Sequence, residues 1–114
     1  IIKPSLDNKP TLVFDLDETL IHSKFNYYQK AEAIVEIPVT NRTAFMQCQD
    51  FHTNVIKNWL CVRNGCREAI KELKNHFEII IWTASPKEYA EVIIKYLKIE
   101  MYISQLICME HCDY

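Results

Sequence analysis

The sequence predicts an α/β fold with a parallel sheet and a small β-hairpin insertion. Residues 12–14 and 78–82 are short apolar runs with the length and composition of buried strands. Amphipathic, helix-like segments follow residues 59–62 and 78–82. Alternating strands and helices are typical of parallel pairing through right-handed crossovers. Polar residues that could bind a ligand or take part in catalysis directly follow the strands predicted at residues 12–14 and 78–82.

Composition sets the broad class. The chain has 114 residues, 49% of them hydrophobic and 25% charged, which suits one globular domain spanning residues 1–114. A net charge of -2 provides no basic face, so we expect no direct binding to nucleic acid. The sequence has neither the roughly 20-residue apolar run of a membrane span nor a secretory signal at its start. We therefore expect an intracellular protein, nuclear or cytoplasmic, with no membrane partner.

The first strand leads directly into two carboxylates, Asp15 and Asp17. Side chains two apart in an extended segment point the same way, so the two carboxylates should converge. Mg²⁺ would offset their repulsion, because it prefers oxygen ligands. Ordinary turn chemistry is the alternative, since Asp side chains often bond nearby backbone. The preceding strand, Thr19 at the next same-face position and the lack of Gly or Pro favour the metal site.

An insertion of about residues 24–58 follows. Residues 33–39 and 44–48 alternate in polarity, and Asn41 and Arg42 between them suit a turn, so we predict a hairpin.

The second half supplies the remaining elements. Residues 59–62 read as a strand and residues 66–76 as a helix with Ala69, Ile70 and Leu73 in the core. After the strand at residues 78–82, Ser85 suits an N-cap and Pro86 the first helical position. This helix should point four residues inward: Tyr89, Val92, Ile93 and Leu97.

Ligands of parallel sheets bind beyond the carboxyl ends of the strands, where Asp15, Asp17, Thr83 and Ser85 all fall. The Thr83 hydroxyl could bond a phosphate oxygen, and the following helix N-terminus favours an anion. Ser85 reads better as the cap of that helix than as a catalyst.

The sequence has five cysteines, an odd number, and no two of them have C-x-x-C spacing. Reduced, mostly buried thiols are therefore favoured. Cys108, His111 and Cys112 could be imagined as zinc ligands, but a structural site needs a second pair.

Several motifs together resemble a known family. The run Asp15-Leu-Asp-Glu-Thr-Leu resembles the first motif of the haloacid dehalogenase superfamily. Lys9-Pro10 before it and Ile21-His-Ser23 after it resemble one branch, the small phosphatases of the RNA polymerase II C-terminal domain (CTD), or NLI-interacting-factor-like family. The segments 59–65 and 77–85, with Tyr89-Ala90, continue the similarity.

The resemblance implies a Rossmann-like fold and a Mg²⁺-dependent protein serine/threonine phosphatase that acts through an aspartyl-phosphate. Asp15 would be the nucleophile and Asp17 the general acid and then base, and both would bind Mg²⁺, with the Asp17 backbone carbonyl as a further ligand. Thr83 would bind phosphate.

The same resemblance implies a phosphoprotein or phosphopeptide substrate. Thr19 would orient Asp17, and Arg63 would either reach the phosphopeptide or brace the site. The insertion would border the active site, making Phe25, Tyr27 and Tyr28 candidate substrate contacts, although packing explains such aromatics equally well.

The chain departs from the family pattern at two places. Arg63-Asn64-Gly65 stands where the family has Arg-Pro-Gly. The lysine and paired aspartates that follow the family's equivalent of residues 108–112 are absent, so we expect a domain truncated at its C-terminus. An incomplete gene model, a fragment or completion by another copy would each explain this. An open sheet edge along residues 11–14 would then favour self-association.

Three functions remain open at this point. The first is the phosphatase, and the second is a catalytically inactive protein-interaction module of the same fold. The third is a phosphatase of small metabolites, which the insertion disfavours because it is too short for a large lid.

Overall fold

The structure is a computed structural model that describes residues 8–38 and 55–109. The strands are β1 (Thr11–Phe14), β2 (Ile21–Lys24), β3 (Ala33–Pro38), β4 (Val55–Val62), β5 (Glu78–Trp82) and β6 (Gln105–Ile107). The α-helices are α1 (Cys66–Leu73) and α2 (Lys87–Leu97), and a short 3₁₀ helix spans Glu100–Tyr102.

The first sheet is parallel, with β5 between β1 and β6. Three consecutive isoleucines of β5, Ile79 to Ile81, are 0% exposed. Such a continuous apolar run is typical of a central strand buried on both faces. The predicted α/β fold with a parallel sheet is confirmed.

Strand β1 is less buried than the sequence predicted. It pairs with β5 on one side, which makes it an edge strand among the described residues. Val13 is 46% exposed, whereas Leu12 and Phe14 pack against the core. The apolar run of β1 therefore alternates between a packed face and an exposed one.

The second sheet is antiparallel, with β4 between β2 and β3. The prediction that residues 59–62 add a strand to the parallel sheet is wrong, because they end β4. Residues 33–38 pair with β4 along their whole length, so the first arm of the predicted hairpin has β4 as its partner. The predicted second arm, 44–48, and the turn at 41–42 lie outside the described residues.

The helices match the prediction in position but differ at their ends. Helix α1 ends at Leu73, and Ala69, which we expected in the core, is exposed. All four residues predicted to face inward from α2 are buried or packed against the core. Strands β2, of four residues, and β6, of three, were not predicted.

One hydrophobic core joins both sheets and both helices. The β2 to β4 sheet contributes Val35, Ile37 and Leu60, the parallel sheet Ile79 and Ile81, and the helices Ile70, Ile93 and Leu97. Leu16 and Leu20, in the loop after β1, are also buried in it. This burial anchors the loop that carries both aspartates.

Candidate active site

The candidate site lies where two loops leave the same edge of the parallel sheet. Phe14 is paired with Ile81 in the parallel register of β1 and β5. Residues 15–20 and 83–86 therefore leave the carboxyl ends of adjacent strands. This is the edge at which α/β sheets bind ligands.

The loop after β1 turns tightly around the carbonyl oxygen of Leu16. That oxygen accepts hydrogen bonds from the amides of Leu20 (3.0 Å) and Ile21 (3.2 Å). Glu18 has a φ of 65°, in the left-handed region, and its amide donates to the Ile21 carbonyl at 2.7 Å. Because buried Leu16 anchors the turn, the backbone positions of its two neighbouring aspartates are fixed.

Asp17 is half-buried, and each oxygen of its carboxylate accepts a hydrogen bond from a hydroxyl group. Ser85 donates to Oδ2 at 2.7 Å and Tyr89 to Oδ1 at 2.6 Å. Ser85 lies in the loop after β5, and Tyr89 lies in the first turn of α2. Two separate elements thus hold the Asp17 side chain in one orientation.

The hydrogen-bonded chain continues from Tyr89 to Ser23 of β2, with 2.7 Å between the hydroxyl oxygens. The single hydroxyl proton of Tyr89 is donated to Asp17, so Ser23 must be the donor to Tyr89. Burial, and next the hydrogen bond to Asp17, raise the pKa of the Tyr89 hydroxyl well above its ordinary value. Tyr89 therefore stays a neutral donor across the physiological range.

Asp15 has a different environment, because it is exposed and its Oδ1 accepts a hydrogen bond from the Leu16 amide at 2.7 Å. This bond orients the carboxylate from within its own loop. The two aspartates thus differ in exposure and in the source of their contacts. One is accessible to a ligand and the other is held by neighbouring elements.

Thr83 is buried, with 1% of its surface exposed, directly after β5. Its Oγ1 accepts a hydrogen bond from the Ser85 amide at 3.1 Å, and its own amide donates to the Ile107 carbonyl at 2.8 Å. Thr83 therefore shapes the turn that presents Ser85 to Asp17. Its expected contact with phosphate stays a prediction.

The prediction that Ser85 caps α2 is wrong. Pro86 occupies the N-cap position and makes no side-chain cap hydrogen bond. The Ser85 hydroxyl is instead engaged by Asp17. Sequence reasoning assigned Ser85 and Tyr89 to helix capping and core packing. The signal that could have placed Tyr89 in the site is chemical, since a buried tyrosine hydroxyl needs a partner.

Thr19 and Arg63 are brought together beside the aspartate loop. The Arg63 guanidinium donates to the backbone carbonyl of Thr19 at 3.2 Å, and the Arg63 amide donates to the Leu20 carbonyl at 2.8 Å. Of the two expected roles for Arg63, this contact favours bracing the loop. The groups that contact the Asp17 carboxylate are Ser85 and Tyr89, not the Thr19 side chain.

The aromatic residues after β2 differ in exposure. Phe25 and Tyr27 are 40% and 75% exposed, respectively. Tyr28 packs edge-on against His22, with 5.2 Å between ring centroids, and the Lys24 ammonium lies 5.2 Å from the Tyr28 ring centroid. Phe25 and Tyr27 thus remain accessible to a substrate, while Tyr28 is engaged in local packing.

The oxygen donors around Asp15 and Asp17 fit the chemistry of Mg²⁺. Within residues 8–38 and 55–109, no group of three or more His, Cys, Asp or Glu side chains could hold a metal ion. Mg²⁺ commonly takes only one or two carboxylates and completes its shell with water and substrate phosphate oxygens. Asp15 is exposed, whereas both oxygens of Asp17 already accept hydrogen bonds, so Asp15 is the better placed of the two predicted ligands.

The cysteines that the structure describes, Cys61, Cys66 and Cys108, are not joined in disulfides. Burial raises the pKa of the Cys66 thiol. Cys48, Cys112 and His111 lie outside the described residues. No helix in the described part of the chain is long and apolar enough to cross a membrane.

Comparisons with known proteins show what this chain is similar to. The chain is 29% identical over 108 residues to "Phosphatase PSR1" of Saccharomyces cerevisiae, covering 95% of this chain and 22% of that protein. It is 26% identical over 102 residues to a "Probable C-terminal domain small phosphatase" of Dictyostelium discoideum, covering 90% of this chain and 29% of that protein. The chain therefore spans less than a third of the length of these relatives.

The fold is also found in a solved structure. The fission yeast RNA polymerase II CTD phosphatase Fcp1, bound to beryllium fluoride, superposes with a TM-score of 0.64 at 15% sequence identity. The superposition covers 90% of this chain and 30% of that one. The family described as NLI interacting factor-like phosphatase matches residues 10–114, and the chain belongs to this family.

Proposed function

We propose that this chain carries the nucleophile and the acid/base of a Mg²⁺-dependent protein serine/threonine phosphatase. The proposal rests on one observation, that two neighbouring carboxylates lie in different environments. Asp15 is exposed, whereas both oxygens of Asp17 accept hydroxyl hydrogen bonds. Enzymes that use paired carboxylates for different tasks place them in different environments.

In the first half-reaction, an Asp15 carboxylate oxygen bonds to phosphorus as the bond to the serine or threonine oxygen breaks. The Asp17 carboxyl group gives its proton to that leaving oxygen. In the second half-reaction, water attacks the phosphorus, Asp17 takes a proton from the water, and the bond to Asp15 breaks. Phosphate then leaves, and both side chains return to their starting states.

Mg²⁺, bound through Asp15 and its neighbours, would offset the negative charge of the phosphoryl group. The Leu16 amide orients Asp15, and Ser85 and Tyr89 orient Asp17. The Thr83 hydroxyl lies in the loop that carries Ser85, and we propose that it donates a hydrogen bond to the phosphate. A phosphate contact would require its hydroxyl hydrogen to point toward the ligand, because the oxygen already accepts from the Ser85 amide.

The proposed substrate is a phosphoprotein segment, and the CTD of RNA polymerase II is the candidate to test first. The fold neighbour Fcp1 is described as a phosphatase of that domain. Exposed Phe25 and Tyr27 offer apolar contacts for a peptide near β2. A polymerase substrate would require the protein to act in the nucleus.

Hydrolysis of p-nitrophenyl phosphate tests the proposal. The assay uses the 114-residue chain and the longest natural form of the protein that contains it, each with Mg²⁺ and with EDTA. We expect Mg²⁺-dependent turnover that falls by at least about 100-fold in Asp15→Asn, since the nucleophile is lost. Turnover unaffected by EDTA or by Asp15→Asn would refute the mechanism. Absence of hydrolysis by both forms would favour the catalytically inactive interaction module.

A further inference from the structure

We propose that Tyr89 is a positioning residue for the acid/base carboxylate, holding Asp17 in the orientation that transfers a proton to the leaving oxygen. The inference rests on the proposed function and deepens it. Tyr89 is 5% exposed and lies in the first turn of α2, yet its hydroxyl bonds a carboxylate of the loop after β1. This contact brings a core residue into the chemistry of the site.

The hydrogen bond from Tyr89 to Asp17 is short and charge-assisted, at 2.6 Å. Its direction is fixed, because a carboxylate can only accept. Tyr89 must then accept from Ser23, so both hydroxyl dipoles align toward Asp17. Aligned hydrogen bonds polarise and strengthen one another. The chain of hydroxyls starts in the antiparallel sheet and ends at the acid/base carboxylate.

Ser85 and Tyr89 bond different oxygens of Asp17, so together they restrict rotation of the carboxylate. Each carboxylate oxygen has two lone pairs, and each hydroxyl occupies one of them. A lone pair therefore remains to carry the proton that passes to the leaving oxygen. Loss of the Tyr89 hydroxyl would weaken this restraint without touching the nucleophile, Asp15.

The effect of losing the Tyr89 hydroxyl on the reaction rate should therefore depend on the leaving group of the substrate. An alkoxide such as that of serine needs a proton as it departs, whereas p-nitrophenolate departs without one. Tyr89→Phe keeps the ring in the core and removes only the hydroxyl. We expect it to lower kcat/KM for a phosphoserine peptide by about 10-fold or more, and for p-nitrophenyl phosphate by less than about 3-fold. The quantity kcat/KM is used because it reports the first half-reaction alone.

Tyr96→Phe is the matched control. Tyr96 lies on the same helix, and its hydroxyl also donates to a carboxylate, that of Glu32, at 3.2 Å. It makes no contact with Asp17, so both kcat/KM values should stay within about 2-fold of wild type. Thermal melting of each variant confirms that it is folded.

Ser23→Ala tests the first link of the chain. We expect a smaller loss of kcat/KM than in Tyr89→Phe, again confined to the phosphoserine peptide. Ser23 acts through Tyr89, so Ser23→Ala should cause no further loss in the Tyr89→Phe background. Additive losses would show that Ser23 acts independently and would overturn the hydroxyl chain.

The outcomes separate this inference from the proposed function. Equal losses on both esters in Tyr89→Phe, or no loss, with an active wild-type chain, would overturn the positioning role alone. Absence of Asp15-dependent turnover in the wild type would overturn both proposals.

The contact itself is checked without activity, by NMR of chains carrying ¹³Cζ-labelled tyrosine. Asp17→Asn should shift the ¹³Cζ resonance of Tyr89 at neutral pH, because the Tyr89 hydroxyl would no longer donate to a carboxylate. An unchanged Tyr89 resonance would overturn the contact on which the inference stands.

Discussion

Alkaline pH should destabilise the chain through Tyr89. Burial raises the pKa of its hydroxyl above the ordinary value of about 10, and the hydrogen bond to Asp17 raises it further. Above about pH 10, the unfolded chain therefore loses a phenolic proton that the folded chain retains. Because the unfolded state then binds fewer protons, the free energy of unfolding falls as pH rises. The contribution is fully present below about pH 10 and is lost toward the raised folded-state pKa.

The magnitude follows from the burial of the side chain, which is 5% exposed and so little screened by water. With an unfolded-state pKa of about 10, this linkage costs about 1.4 kcal/mol between about pH 9 and pH 11. Urea unfolding of wild type and Tyr89→Phe at both pH values, with a reductant present, measures it. Wild type should lose about 1.4 kcal/mol more than Tyr89→Phe, because the other titrating groups are common to both chains.

Tyr96→Phe is again the control. The pKa of Tyr96 is also raised, by burial first and then by Glu32, but this residue is 37% exposed and its interactions are screened. Removing its hydroxyl should change the pH dependence by much less than removing that of Tyr89. If Tyr89→Phe loses as much stability as wild type on going to high pH, Tyr89 does not retain its proton and the reasoning fails.

Three further predictions concern stability and association. Gly65 has a φ of 77° with no atom within 4 Å of an added Cβ, so Gly65→Ala should cost about 1 kcal/mol through backbone strain alone, and Gly65→Asn less, in urea unfolding. Ile93 is 0% exposed in the core, so Ile93→Ala should cost about 2–5 kcal/mol by the same assay. Strand β1 has one edge without a partner strand among the described residues, and this edge should support reversible self-association, which Val13→Lys should weaken in analytical ultracentrifugation. A monomer at every concentration would contradict the last prediction.

The parts of the fold that were predictable have strong local patterns. The isoleucine run of β5 identifies a buried parallel strand, and the spacing of Tyr89, Ile93 and Leu97 identifies the inner face of α2. Strand pairing was harder to predict from the sequence. Alternation in residues 33–38 shows which side chains face inward but does not name the partner strand, which proved to be β4.

The same limit applies to residues 59–62. Read alone, they form a continuous apolar run and resemble a strand of the parallel sheet. In the structure they end an eight-residue strand whose inward positions alternate, with Ile56, Asn58 and Leu60 buried. The pattern becomes visible only when the whole strand is considered, including residues 55–58. A short window therefore misassigned the sheet although it identified the strand.

The candidate site shows why position in sequence does not assign roles. Asp15 and Asp17 lie two residues apart, and sequence periodicity treats them as equivalent same-face carboxylates. Their difference comes from contacts with residues about 70 positions away, since Asp17 bonds Ser85 and Tyr89. The loop around Leu16 leaves Asp15 exposed and brings Asp17 to these hydroxyls. Because an acid/base and a nucleophile need different environments, the second loop and α2 are as necessary to the proposed chemistry as the aspartates themselves.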